Sequence, residues 1–110
     1  MRLPNGERAD LDAKLEEYLL NPDHPKGKHK AWMFESRLGI TLENAGILGT
    51  ALLAAAANSD HAEARGDNGF GGVFVVTFPL STAKGSAIVS SVWIIRHGED
   101  FPRLITCYII

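Results

Sequence analysis

Cysteine is nearly missing from this chain: Cys107 stands alone among 110 residues. One thiol closes no intramolecular disulfide and offers no thiolate set to structural zinc, so the expected compartment is a reducing cytoplasm. Long apolar runs are missing as well. No stretch approaches the roughly 18 consecutive apolar residues of a membrane span, and the opening Met1-Arg-Leu-Pro-Asn-Gly-Glu-Arg8 lacks the apolar centre of a signal peptide. Nor is there an excess of one charge: 11 Lys and Arg against 13 Asp and Glu leave a net charge of -2. That balance gives no global footprint for duplex DNA or an acidic membrane, so any contact with nucleic acid is local. There is no Walker loop, and Gly69-Phe-Gly-Gly72 precedes a strand pattern instead of a helix, so nucleotide binding of the usual kinds lacks its anchor.

What is present reads as one folded domain over residues 1–110. Its 45% hydrophobic and 22% charged residues lie far from the composition of disordered chains. Apolar residues first recur at helical spacing, over about 10–58. Leu11, Leu15 and Leu19 predict a helix from Leu11 to Leu20 that Asn21-Pro22 ends; Ala31, Phe34 and Leu38 predict a second from Lys28 with Gly39 as its stop. Leu42, Ala45, Leu48, Leu52 and Ala55, after a Thr41 cap, predict a third. The polar, Gly-containing segment 59–72 reads as a loop. Three extended runs follow in the strand half, about 72–110, separated by Ser81-Thr-Ala-Lys-Gly-Ser86 and His97-Gly-Glu-Asp-Phe-Pro102, turns short enough for an antiparallel meander. The fold class is therefore α+β, with N-terminal helices packed on one face of a C-terminal antiparallel sheet. The apolar last strand is expected to be internal or well covered.

Polar chemistry is concentrated in one place. The loop Leu20-Asn-Pro-Asp-His-Pro-Lys-Gly-Lys-His-Lys-Ala31 holds two His and three Lys between helical patterns. His24 carries a group suited to proton transfer near neutral pH, while Lys26, Lys28, Lys30 and a helix start add positive charge. That is a phosphate-handling constellation. The plain alternative is solvated lysines and a His24 that only fixes the loop through the backbone. Metal binding is poorly supplied: His24 and His29 are separated by four loop residues without an obvious carboxylate partner, and His61 and His97 lie in distant turns. Cys107 sits in an apolar strand with no electropositive sequence neighbour and reads as a small hydrophobe. Pairing Trp93 with Thr106 would put Ser91, Trp93, Thr106 and Tyr108 on one sheet face as a hydroxyl cluster; the alternative is that each hydroxyl merely bonds a nearby carbonyl.

The pattern Leu-Asn-Pro-x-His-Pro-x-Gly-x-x-Lys-Ala, with Leu3-Pro-Asn5, Phe34, Leu38-Gly-Ile40, Trp93 and Pro102-Arg-Leu-Ile-Thr-Cys-Tyr108, resembles an uncharacterised bacterial domain family. Its members stand alone or end polymorphic toxins and phage-associated proteins. The order of helices then meander is similar, more distantly, to the barnase, EndoU and RelE-like ribonucleases. The resemblance implies a toxin-like, cytoplasmic ribonuclease working by acid-base chemistry, with neither cofactor nor metal. His24 would be base or acid, Lys30 and Arg96 would stabilise the phosphorane with Thr106, and Lys28, Ser91 and Tyr108 would bind substrate. RNA and a small cognate antitoxin or immunity protein are the implied partners, with no membrane. The competing reading is a non-catalytic interaction module of antitoxin or immunity type, or a degenerate nuclease. Convergence of His24, Lys30 and the strand hydroxyls in one concavity favours the enzyme.

Overall fold

The computed structural model describes residues 1–110 and has the expected class: helices on one face of an antiparallel sheet. Asn21-Pro22 does end the first apolar stripe, but the helix expected from Leu11 to Leu20 does not form. The Asp10 carboxylate accepts the Asp12 N–H at 2.8 Å, a local bond that competes with a helical start. Asp12 and Ala13 then adopt left-handed backbone, with φ of 57° and 56°. Only Leu15–Leu19 wind, as a π-helical turn closed by the Leu20 N–H on the Leu15 carbonyl at 2.9 Å. The wide turn sends Leu15, Leu19 and Leu20 together into the core.

The next two helices follow their stripes. α1 (Lys28–Leu38) buries Ala31, Phe34 and Leu38, and it stops at Gly39, whose φ of 68° lets the Gly39 and Ile40 N–H groups close on the Glu35 and Phe34 carbonyls. Thr41 caps as expected, but what it caps is a 3-10 turn, Leu42–Asn44, in a reciprocal box with Asn44. This turn shifts the phase ahead of α2 (Gly46–Asn58). Leu42 is left exposed, while Leu48 and Leu52 are fully buried.

The sheet has four strands in the order β1-β2-β3-β4: β1 (Glu63–Asp67), β2 (Gly71–Ser81), β3 (Ser86–Arg96) and β4 (Arg103–Ile109). β1 occupies part of the segment read as a loop. All five of its residues are exposed, so no alternation marks it; it is held by backbone pairing to β2 and by a turn in which Asn68 Oδ1 accepts the Phe70 and Gly71 N–H groups. Phe74, Val76, Val89, Trp93, Leu104 and Cys107 point inward against the helices.

The β3–β4 register differs from the expected one. Trp93 faces Leu104, not Thr106, and Ile94 faces Arg103. An irregularity at Ile105 then reverses the parity, so Thr106 and Tyr108 stand on the outer face opposite Val92 and Ser90, while Ser91 stays inside opposite Cys107. The expected hydroxyl cluster is therefore split between the two faces. β4 is an edge strand and not an internal one. Its start is covered because Asp10 exchanges backbone bonds with Pro102 and Leu104 at 2.9 Å each. The same pairing lays residues 10–18 along the β4 edge, where the loop and the start of α1 also arrive.

Candidate functional site

The loop signature has a physical reason at each position. Asn21 Oδ1 accepts the Asp23 N–H at 2.9 Å, and the Asn21 carbonyl accepts from His24 N–H at 3.2 Å, turning the chain back after the π-turn. His24 Nδ1 then accepts two backbone donors, the N–H groups of Lys26 and Gly27, at 3.1 Å each. The His24 carbonyl takes the Lys28 N–H at 3.0 Å, which starts α1. Gly27 is fixed by space: a Cβ there would overlap the Tyr18 carbonyl oxygen. Ala31 is buried, with its N–H on the Gly27 carbonyl at 2.9 Å. One residue earlier, Lys30 leaves the helix beside β4.

These elements enclose an open cleft of about 490 Å³ lined by Lys14, Glu17, Tyr18, His24, Lys30, Ile105 and Thr106. Lys30 Nζ donates to Thr106 Oγ1 at 2.9 Å and lies 5.2 Å from the centre of the Tyr18 ring. The Tyr18 ring meets His24 edge-on, centroid to centroid 4.7 Å. Because Nδ1 is occupied by two N–H donors, the neutral His24 ring carries its proton on Nε2, the other nitrogen. The cleft thus gathers an imidazole donor, two ammonium groups, a hydroxyl and one carboxylate. That set can hold an anion and move a proton.

Of the residues singled out from the sequence, His24, Lys30 and Thr106 come together. Arg96 does not join them. It lies at the far end of β3, four residues beyond the Val92 that faces Thr106, about 13 Å along the strand. There it stands 3.7 Å from Asp12. Lys28 is exposed in the first turn of α1, and Tyr108, 41% exposed, is two residues beyond Thr106 on the outer sheet face. Ser91 is fully buried; its Oγ donates to the Val76 carbonyl at 2.7 Å and accepts the Trp93 Nε1–H at 2.9 Å. That is the carbonyl-bonding alternative, and the bond saturates an otherwise buried indole donor. Cys107 is buried behind Thr106, and burial pushes its thiol up to about 12, so it stays protonated.

Lys14, Glu17 and Tyr18 were not singled out as site residues from the sequence. Their spacing, i, i+3 and i+4, was the available signal for a shared face, and the partner that makes the face matter is β4, 76 residues from Lys30 at Thr106. Around the β3–β4 turn and the end of β1, by contrast, charged groups are tied to one another. Glu99 grips Arg103 through two bonds of 2.9 Å, with Asp10 and Asp12 at 3.6 and 3.4 Å, and His97 meets Asp67 at 2.6 Å. No three His, Cys, Asp or Glu side chains are gathered in a way that could hold a metal ion, and no helix is long and apolar enough to cross a membrane.

The chain belongs to the family described as Domain of unknown function (DUF6883), which matches residues 2–110. No curated protein matches it. Its fold is similar to that of a chain in the contact-dependent growth inhibition toxin - immunity protein complex from Klebsiella pneumoniae 342, with a TM-score of 0.71 over 96% of each chain and 16% sequence identity. At that identity the likeness is one of fold.

Proposed function

We propose that the cleft is a metal-independent ribonuclease centre in a toxin-type domain. The observation that carries this reading is Lys30: its ammonium is held by a neutral hydroxyl, beside His24 and in an open cleft, with no carboxylate paired to it. An ammonium oriented by a neutral acceptor keeps its charge available to an anion. RNA supplies its own nucleophile, the 2′-hydroxyl, so a site of this kind needs to grip one phosphodiester and relay protons. The net charge of the protein is -2, and the grip is accordingly local to the loop and the start of α1. The similarity of fold to a chain of a toxin-immunity complex supports a toxin-type or immunity-type role.

A protein partner fits the same reading. α2 carries no charged side chain from Gly46 to Asn58 and leaves Ile47 and Leu53 45% and 40% exposed, apolar surface open to a cognate immunity-type protein. The test is cleavage of total RNA, tRNA and ribosome-bound message with a chelator present. Wild type is expected to cut, and Lys30→Ala and His24→Ala, each confirmed folded by circular dichroism, to lose about 10²- to 10³-fold, as removal of one transition-state donor does. Abolition by chelator would move the chemistry to a metal. A wild type silent on all three substrates would favour the non-catalytic, immunity-type module.

A further inference from the structure

The proton-accepting group of this cleft is set by its geometry. Resting on the ribonuclease reading, we infer that Glu17 is the general base and that His24 serves as a fixed Nε2–H donor to the phosphate. His24 Nδ1 already accepts the Lys26 and Gly27 N–H groups at 3.1 Å each, and these bonds hold the turn that leads into α1. Taking a proton there would break both, and Nε2 in this tautomer has a proton to give, not a lone pair to receive one. Glu17 is the one carboxylate lining the cleft. It is exposed and forms no ion pair, although Lys14 and Lys30 line the same walls. The groups around it are Lys14 and Tyr18 from its own segment, His24 from the loop and Lys30 from α1; β4 contributes uncharged Ile105 and Thr106.

The proton and bond balance closes with these side chains. A Glu17 oxygen takes the 2′-hydroxyl proton as the 2′-oxygen bonds to phosphorus; the bond from phosphorus to the 5′-oxygen breaks, leaving a 2′,3′-cyclic phosphate. The departing 5′-oxygen takes a proton from Lys30, which holds one N–H on Thr106 at 2.9 Å and has two others to offer. An ammonium is a stronger acid than the alcohol it forms, so this transfer runs downhill. His24 Nε2–H steadies a non-bridging oxygen throughout, and water returns the proton from Glu17 to Lys30.

Two measurements test the assignment. Long-range proton-nitrogen NMR on uniformly labelled protein is expected to show the neutral His24 ring protonated on Nε2; a ring protonated on Nδ1 would overturn it. In cleavage, Glu17→Gln is expected to cost about 10²- to 10⁴-fold and to remove the acidic limb of the pH-rate profile. His24→Asn, which keeps an N–H donor, is expected to retain that limb. A limb lost with His24→Asn and kept with Glu17→Gln would make His24 the base. A Glu17→Gln protein as active as an active wild type would remove Glu17 alone, whereas an inactive wild type removes the ribonuclease reading with it.

Discussion

Two cationic regions of this protein hold their charges in opposite ways. At one end Arg8 meets Asp100 at 3.0 Å, Arg96 meets Asp12 at 3.7 Å, and Arg103 is enclosed by Glu99, Asp10 and Asp12. Each guanidinium there has a carboxylate, and Arg8 and Arg103 also flank the Phe101 ring. At the cleft, Lys30 is held by a hydroxyl and an aromatic ring, and every ion pair in the protein is made by an arginine or a histidine, never by a lysine. The arginines lock the N-terminal segment and the β3–β4 turn together. The lysine is oriented without being neutralised. A neutralised cation serves the fold, and an oriented free one has charge left for a ligand.

The largest effect that would break this comparison is at the joint between loop and π-turn. Gly27→Ala forces a Cβ against the Tyr18 carbonyl, so Tyr18 and His24 must separate. A loss of about 1 to 3 kcal/mol in chemical denaturation is expected, the usual range for overpacking, together with loss of cleavage. An unchanged midpoint would mean that the loop is free to move away from the π-turn.

Smaller effects separate orientation from charge. Thr106→Val keeps the Lys30 ammonium and removes its acceptor, and one hydrogen bond of about 0.5 to 1.5 kcal/mol corresponds to a cleavage loss of up to about tenfold. Arg96→Ala, at the neutralised end, is expected to change cleavage by less than about fivefold, within the energy of a surface ion pair. A larger effect at Arg96 than at Thr106 would join the two regions into one RNA-binding surface.

The same contrast explains what was legible in the chain. α1 and α2 were, because Ala31, Phe34, Leu38, Leu48 and Leu52 repeat at helical spacing on faces that the core then buries. β1 was not, since Glu63, Ala64, Arg65, Gly66 and Asp67 are all exposed and show no apolar alternation, and it is backbone pairing that joins them to β2. The register slip at Ile105 was equally silent: a bulge changes which face a hydroxyl takes without changing composition, and so Ser91 went inward while Thr106 reached the cleft. His24 and Lys30 were visible because Pro22, Pro25 and Gly27 punctuate their loop. Glu17 and Lys14 were hidden because their helical spacing shows a shared face but not that the loop, α1 and β4 close over it.

The smallest expected effect belongs to the arginine end and appears only in acid. The Arg103 hydrogen bonds hold the Glu99 carboxyl below its ordinary value of 4.5, with Arg103 and Arg96 charges reinforcing them against partial desolvation. A carboxylate lowered in the folded state binds fewer protons there than in the unfolded chain. Its contribution is complete above the unfolded value and is lost as pH falls through the lower folded one. Unfolding followed from neutral pH down into the carboxylate range is therefore expected to fall less steeply in Glu99→Gln than in wild type, with little difference in slope near neutrality. Thr106→Val is expected to leave that acid limb as it is, because the hydroxyl has no proton to exchange in this range. Parallel acid curves for Glu99→Gln and wild type would show that Asp10 and Asp12 hold Arg103 without Glu99, and that the neutralised end has more carboxylates than it uses.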